Sequence, residues 1–196
     1  MTDKIIFATG NAGKLKEIRE IMKGYTVISM KDAGAVVDID ESGTTFEENA
    51  LIKARSVWNV TGGLVLADDS GLEVDALNKE PGIYSARYMG EDTSYRIKNK
   101  NIIDRLEGVP DEKRTARFVC CVAAVFPDGS DAVVRGVMEG RIGYEEEGEN
   151  GFGYDPIFIL PEYGVSTAVL PMEVKNEYSH RGKALRMIKD VIEDRG

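Results

Sequence analysis

The feature that most constrains this chain is an apolar segment that runs directly into two carboxylates. The run 64–67 (Leu-Val-Leu-Ala) has the composition of a buried β-strand, and Asp68 and Asp69 follow it at once. Charged side chains are seldom buried without a partner. We therefore expect the strand to end at Asp68, with both carboxylates facing a cleft where a divalent cation would relieve their repulsion. The alternative is a polar turn that only closes the strand.

The composition bounds the fold and excludes several partners. A chain of 196 residues, 42% of them hydrophobic, can bury one core or two lobes that share it. The formal net charge of -9 argues against a nucleic-acid partner, because proteins that bind nucleic acids carry a basic footprint. No apolar run approaches the roughly 18 residues of a membrane span, so no membrane partner is expected.

The two cysteines, Cys120 and Cys121, are adjacent in a run typical of a strand. Their side chains therefore point to opposite faces, and a disulfide between them is not expected. Neither belongs to a C-x-x-C pattern, and the chain has a single histidine, which argues against a zinc site. We predict two reduced thiols in a cytoplasmic protein.

Hydrophobic periodicity predicts an α/β protein with a mixed sheet. Helices are expected over 14–23, from Thr44 or Thr45 to about Val60, over 94–106 and over 180–193, and strands over 4–9, 27–30, 64–68, 114–126, 132–137 and 157–160. The turn 127–129 (Pro-Asp-Gly) predicts a hairpin. The acidic, glycine-rich segment 145–153 is expected to be mobile.

A glycine-containing segment joins the first predicted strand to the first predicted helix. Its residues are Thr9, Gly10, Asn11, Ala12, Gly13 and Lys14. Glycines allow a close backbone approach to an anion, and a helix start presents free N–H groups. The spacing is neither that of a Walker P-loop nor that of a dinucleotide fingerprint. A phosphate site and an ordinary strand-to-helix connection both stay open.

Three further segments carry candidate functional residues. Glu47 and Glu48 fall in the first turn of a predicted helix, where one acid caps the helix and the other could join Asp68 and Asp69 around a hard cation such as magnesium. In the segment 150–156, glycines flank Phe152, which gives this ring room to face a planar ligand or leaves it as a buried aromatic. In the segment 175–181, the only histidine stands beside Arg181 at a helix start, where cations are unfavourable, so an acidic partner or a ligand oxygen is expected.

Taken together, these segments resemble the inosine triphosphate pyrophosphatase family, also called Ham1-like. The resemblance extends over nearly the whole chain: TGNAGK (9–14), FEENALIKAR (46–55), ADDSGLEVDAL (67–77), PGIYSARY (81–88), GFGYDPIF (151–158) and SHRGKAL (179–185). Several independent motifs in one order are far more specific than any single motif.

The resemblance implies one domain over residues 1–196, with a long mixed central β-sheet flanked by helices and two lobes around a deep nucleotide-binding cleft. It implies hydrolysis of ITP, dITP and XTP to the nucleoside monophosphate and pyrophosphate, which removes deaminated purines from the nucleotide pool. It also implies dependence on magnesium, with manganese as the alternative metal, and a homodimer.

The same resemblance implies roles for single residues. Glu48 and Asp68 would hold the metal, and Asp69 would share it and position or deprotonate the attacking water. The segment 9–14 and Ser70 would bind the phosphates. Phe152 would stack on the base, with Gly153, Tyr154 and Asp155 beside it. Lys175, His180 and Arg181 would donate to the 6-oxygen of hypoxanthine or xanthine, whereas adenine would leave these donors facing an amino group.

Two other functions stay open at this point. A pyrophosphatase of the Maf type has a related architecture, but the segments 151–156 and 179–184 argue against it. A nucleotide-binding regulator without hydrolysis is the second alternative. Three acids in the predicted site argue against that function, because a protein that only binds a polyanion gains nothing from acids without a metal.

Overall fold

The computed structural model describes residues 4–195, apart from the side chains of Met172, Glu173 and Asn176. Its strands, numbered along the chain, form one mixed sheet in the order β2-β1-β3-β4-β5-β6-β7. Their bounds are β1 (Lys4–Phe7), β2 (Thr26–Ser29), β3 (Leu64–Val74), β4 (Thr115–Val125), β5 (Asp131–Ile142), β6 (Phe158–Leu160) and β7 (Val165–Ser166). β1 runs parallel to β2 and β3, whereas β6 runs antiparallel to β5 and β7. The predicted α/β fold with a mixed sheet is confirmed.

The helices are α1 (Ala12–Ile21), α2 (Phe46–Thr61), α3 (Tyr95–Arg105), α4 (Met172–Tyr178) and α5 (His180–Glu193). α2 begins after Thr45, whose hydroxyl accepts the N–H of Glu48, and α5 has the predicted bounds. α1 begins two residues before its predicted start, because Asn11 caps it. α4 was not predicted. No helix within residues 4–195 is long and apolar enough to cross a lipid bilayer.

Contacts divide the chain into two compact units, and each has its own hydrophobic core. The first unit comprises Met1–Asp69, Cys120–Gly136 and Arg181–Gly196, and the second comprises Ser70–Val119 and Val137–His180. In the first, the apolar faces of β1, β3 and β4 pack with α1 and α5. In the second, residues of β3, β4, β5 and β6 pack with α3. Cys120 and Cys121 are both buried and unbridged, as predicted.

The prediction that β3 ends at Asp68 is wrong. The strand continues through both carboxylates to Val74. β1 ends at Phe7, which pairs with Leu66, so the carboxylates lie just beyond the last residue of β1. The eleven-residue β4 is the other neighbour of β3, and an extended neighbour keeps the chain in the sheet where a turn was expected.

The acidic segment that was expected to be mobile has partners along its length. The backbone N–H of Glu147 donates to the carbonyl of Pro156 at 2.9 Å, and that of Asn150 donates to Ala168 at 2.8 Å. The carboxylate of Glu146 accepts from the Asn99 amide at 2.8 Å. These bonds hold the chain that leads to Phe152.

A buried arginine joins three elements of the second unit. Arg114 is 1% exposed, and its guanidinium donates to the carbonyls of Leu106, Ile142 and Gly143 at 2.7–2.9 Å. Its cation also lies 4.2 Å from the ring centroid of Tyr144. The planar fork of a guanidinium suits several fixed acceptors at once, which a lysine ammonium does not.

Arg114→Met should lower the free energy of unfolding by about 2–4 kcal/mol, because it leaves three carbonyls without their donor. Arg114→Lys should recover only part of this loss. Urea denaturation measures both changes, with Arg96→Met at an exposed site as the matched control. Equal stabilities of the Arg114 and Arg96 variants would show that the carbonyls do not depend on Arg114.

Candidate functional site

Asp68 is a buried carboxylate held between two cations of the first unit. It is 2% exposed. The Lys14 ammonium, from the first turns of α1, lies 3.0 Å from each of its oxygens. Arg181, from the start of α5, donates Nε to Asp68 at 3.3 Å and another nitrogen to Glu17 on α1 at 2.7 Å. β3, α1 and α5 therefore meet at one carboxylate.

Asp69 has a different set of partners, and both come from α2. Lys53 lies 3.2 Å from one carboxylate oxygen, and the Asn49 amide donates to the other at 3.4 Å. Lys53 also pairs with Glu41 at 3.3 Å. The Asn49 side-chain oxygen accepts the N–H of Gly43 at 2.8 Å, and a Cβ at Gly43 would come within 2.6 Å of that oxygen. A glycine is therefore required where this loop meets Asn49.

The two neighbouring carboxylates have pKa values shifted in opposite directions. Burial alone would raise the pKa of Asp68, but Lys14 and Arg181 hold it well below its ordinary value. Burial raises the pKa of Asp69 and outweighs the attraction of Lys53. Environments that separate the pKa values of two adjacent acids are typical of catalytic pairs, in which one acid stays ionised and the other takes up a proton.

The segment 9–14 forms a capped helix start. The Asn11 side-chain oxygen accepts the N–H groups of Gly13 and Lys14 at 2.9 and 3.1 Å, and the Thr9 hydroxyl accepts the N–H of Asn11 at 3.0 Å. Gly10 and Ala12 are exposed. The N–H groups of Gly13 and Lys14, which were expected to bind an anion, thus donate to the Asn11 side chain. A ligand at this helix start would replace the Asn11 side-chain oxygen as their acceptor.

The Glu48 carboxylate accepts hydrogen bonds at the start of its own helix. Its carboxylate accepts from the backbone and hydroxyl of Thr44 at 2.6 and 2.8 Å. Its neighbour Glu47 pairs with Arg135 at 3.0 Å and accepts the Cys121 thiol. Among residues 4–195 with described side chains, no three His, Cys, Asp or Glu groups converge as a metal cluster. The oxygen donors of Glu48, Asp68 and Asp69 suit magnesium in type but not as a preformed cage.

The second unit contains the segment with Phe152, whose ring is 61% exposed. Asp155 lies beneath it: one carboxylate oxygen accepts the N–H of Phe152 at 2.8 Å and the Lys175 ammonium at 2.5 Å. The same ammonium lies 5.2 Å from the centroid of the Phe152 ring, within cation–π range. An exposed aromatic face and a cation therefore stand together, as a planar polar ligand requires.

The other predicted residues of the second unit have structural contacts. The Tyr154 hydroxyl donates to the carbonyl of Ser85 at 2.7 Å, and the carbonyl of Gly153 accepts from Asn99 at 3.2 Å. The His180 ring stacks on Phe118 with centroids 5.1 Å apart. Ser70 follows Asp69 on β3 and is half-buried. Lys175 is the one predicted base donor that the described contacts place beside Phe152.

Lys53 and Asn49 were missed by the sequence analysis, although the sequence carries a signal for them. They stand one helical turn apart on the face of α2 that also buries Ala50, Ala54 and Val57. A lysine and an asparagine within an apolar helical stripe imply buried partners. No comparable signal marks Glu17, Glu41 or Thr167, whose partners depend on the fold.

Comparison with known proteins agrees with these motifs. The model of the Ham1 family matches residues 5–191. The dITP/XTP pyrophosphatase of Nitratidesulfovibrio vulgaris is 48% identical over 95% of this chain and 94% of its own. That of Geobacter sulfurreducens is 47% identical over 95% of each chain.

Solved structures give the same result. The Staphylococcus aureus Ham1 protein superposes with a TM-score of 0.91 at 39% identity, over 98% of this chain and all of its own. The dITP/XTP pyrophosphatase of Mycobacterium abscessus superposes with a TM-score of 0.79 at 41% identity, over 94% of this chain and 98% of its own.

Asp68→Asn should lower the free energy of unfolding at pH 7 by about 3 kcal/mol, because it removes the charge opposite the buried Arg181 and the partly exposed Lys14. Urea denaturation without added magnesium measures the change. Asp92→Asn, at an exposed carboxylate, should change stability by less than about 0.5 kcal/mol.

The same variant tests the pH dependence. The pKa of Asp68 is lowered in the folded chain, so its ion pairs stabilise the fold above the unfolded pKa of about 4 and are lost as the pH falls below it. The stability of Asp68→Asn should therefore fall less steeply between about pH 5 and pH 2 than that of the wild type. Parallel acid transitions of the two proteins would contradict this account.

Proposed function

Because the chain belongs to the Ham1 family, we propose that it hydrolyses the triphosphates of deaminated purines, ITP, dITP and XTP, to the monophosphate and pyrophosphate. The relatives named dITP/XTP pyrophosphatase match almost their full length, which supports the substrate class. The single observation that carries the reaction is the pair Asp68 and Asp69, adjacent on β3 and held by separate cations.

Asp69 is the residue suited to act on water. Hydrolysis of a phosphoanhydride requires a positioned water molecule, charge neutralisation and in-line geometry. Lys53 and Asn49 fix the plane of the Asp69 carboxylate, so it is held in one orientation for a bond to the attacking water. Asp68, whose pKa is lowered, stays ionised and keeps Lys14 at the site.

Lys14 is the cation placed to meet the phosphates. Its ammonium has three donors, its side chain is 24% exposed, and it lies at the start of α1, where anions are favoured. Thr9, Gly10, Asn11, Ala12 and Gly13 would complete the phosphate site, with Ser70 as a further donor. When phosphate is bound there, Asn11 exchanges its bonds to the N–H groups of Gly13 and Lys14 for bonds to the ligand.

Magnesium fits this site in the chemistry of its donors. Magnesium binds carboxylate oxygens together with water and substrate phosphates, so a preformed cage of protein ligands is not required. Asp68, Asp69 and Glu48 would hold it, and manganese would fit the same oxygens. When bound, the ion neutralises phosphate charge and makes its bound water more acidic.

Phe152 and Lys175, both of the second unit, are the main residues of the proposed base recognition. The exposed Phe152 ring offers a stacking face, a contact worth about 1–3 kcal/mol per base in single-strand binders. Lys175 can donate to a 6-oxygen but not accept from the 6-amino group of adenine. Gly153, Tyr154 and Asp155 support this segment. His180 and Arg181 remain proposed base donors, and Arg181 would have to share its guanidinium with Asp68.

Three further properties belong to the same proposal. Removal of deaminated purines from the nucleotide pool is the cellular role. A cytoplasmic location is the proposed site of this activity. A homodimer is the proposed assembly.

The test is a panel of ITP, dITP, XTP, GTP, ATP, CTP and UTP, with and without magnesium, with pyrophosphate and orthophosphate assayed separately. We expect monophosphate and pyrophosphate from ITP, dITP and XTP, little turnover of the other four, and loss of turnover when magnesium is chelated. Release of orthophosphate would mean that a different bond is cut. No turnover of any nucleotide would contradict the proposal and favour a protein that only binds nucleotides.

A further inference from the structure

The carboxylate of Asp155 organises the proposed base site, yet nothing in its own side chain fixes the plane of its oxygens. It is 3% exposed, and one oxygen, Oδ2, accepts both the N–H of Phe152 and the ammonium of Lys175. The terminal torsion of an aspartate is broad, so its rotamer alone does not define where Oδ2 lies. A contact to the other oxygen, Oδ1, would complete the hold on this orientation.

Thr167 provides that contact. Its side chain is fully buried, and its hydroxyl lies 2.9 Å from Asp155 Oδ1 and 3.2 Å from the Asp155 carbonyl. The backbone N–H of Thr167 donates to the carbonyl of Phe158 on β6 at 2.9 Å. The hydroxyl is thus anchored to the sheet and holds the oxygen of Asp155 that the base site does not use.

The chain also leaves space for Oδ2 in this orientation. Gly151 has a φ of +78°, and a Cβ there would lie 2.3 Å from Asp155 Oδ2 and 3.1 Å from the Lys175 ammonium. A side chain at position 151 would therefore displace both groups. Two independent features, the Thr167 hydroxyl and the bare Gly151 backbone, favour one position of Oδ2.

We propose that Thr167 is a positioning residue for purine recognition. By holding Oδ1 it keeps Oδ2 where the Phe152 backbone and the Lys175 ammonium meet, and so it sets the distance between the stacking ring and the donor to the 6-oxygen. The inference rests on the proposed function, because it takes Phe152 and Lys175 as the base site.

Thr167→Val tests this role, because valine has nearly the same shape and lacks the hydroxyl. We expect the KM for ITP to rise about tenfold, the effect of losing a hydrogen bond to a charged group, with kcat changed less than about threefold. The preference for ITP over ATP should narrow by a similar factor. Thr167→Ser, which keeps the hydroxyl, should restore the wild-type KM.

Thr115→Val is the matched control, because Thr115 also donates its hydroxyl to a carboxylate, that of Asp75, at 2.6 Å. It should leave the KM for ITP unchanged. A KM for ITP within twofold of wild type in folded Thr167→Val would overturn the proposal, as would an equal rise in Thr115→Val. Should Thr167→Val fail to fold, Thr167→Ala carries the same expectations.

A second measurement tests the positioning role of Thr167 separately from the proposed enzymatic function. The amide proton of Phe152 donates to Asp155, so its NMR chemical shift reports the position of Oδ2 in the protein without nucleotide. The shift should move in Thr167→Val and return in Thr167→Ser. An unchanged shift in Thr167→Val would overturn the positioning role, whereas absence of ITP hydrolysis by the wild type with a moved shift would overturn only the proposed function.

Discussion

The first unit of this protein depends on the burial of two adjacent carboxylates within a β-strand. Asp68 and Asp69 are 2% and 8% exposed, and buried charges are strongly destabilising unless they are paired. The two carboxylates are bonded to different cations of the protein. Lys14 and Arg181 form ion pairs with Asp68, and Lys53 forms an ion pair with Asp69.

This requirement links elements that are distant in sequence. The cations come from α1, α2 and α5, and Arg181 also binds Glu17 on α1. The same contacts that stabilise the burial of the carboxylates place a helix start and a partly exposed ammonium beside them. The arrangement needed for folding is thus also the one that an anionic substrate requires.

Much of the fold could be predicted from local patterns. The bounds of α5 and the start of α2 follow from apolar periodicity and from the threonine cap, which are properties of neighbouring residues. The end of β3 could not be predicted in this way. Asp68 and Asp69 are typical of a turn, and only the pairing of β3 with the long β4 keeps them in the strand.

The contacts of the candidate site could not be predicted from the sequence motifs. The motifs identify Lys14, Asp68 and Arg181, yet the bond between Asp68 and Arg181 joins residues 113 positions apart and depends on the fold. The hydrogen bond from the Thr167 hydroxyl to the Asp155 carboxylate also depends on the fold. Lys53 and Asn49 could have been found, because a buried helical face does not carry polar residues without partners.

The division of roles between the two carboxylates is tested most directly by the turnover of Asp69→Asn. The affinity of this variant for ITP is measured in parallel, over a series of ITP concentrations under single-turnover conditions. The account predicts a loss in kcat of about 10²–10⁴-fold, typical of a lost general base, with nucleotide binding close to wild type. Near-normal turnover of Asp69→Asn would contradict the account, because the activation of water would then belong to another group.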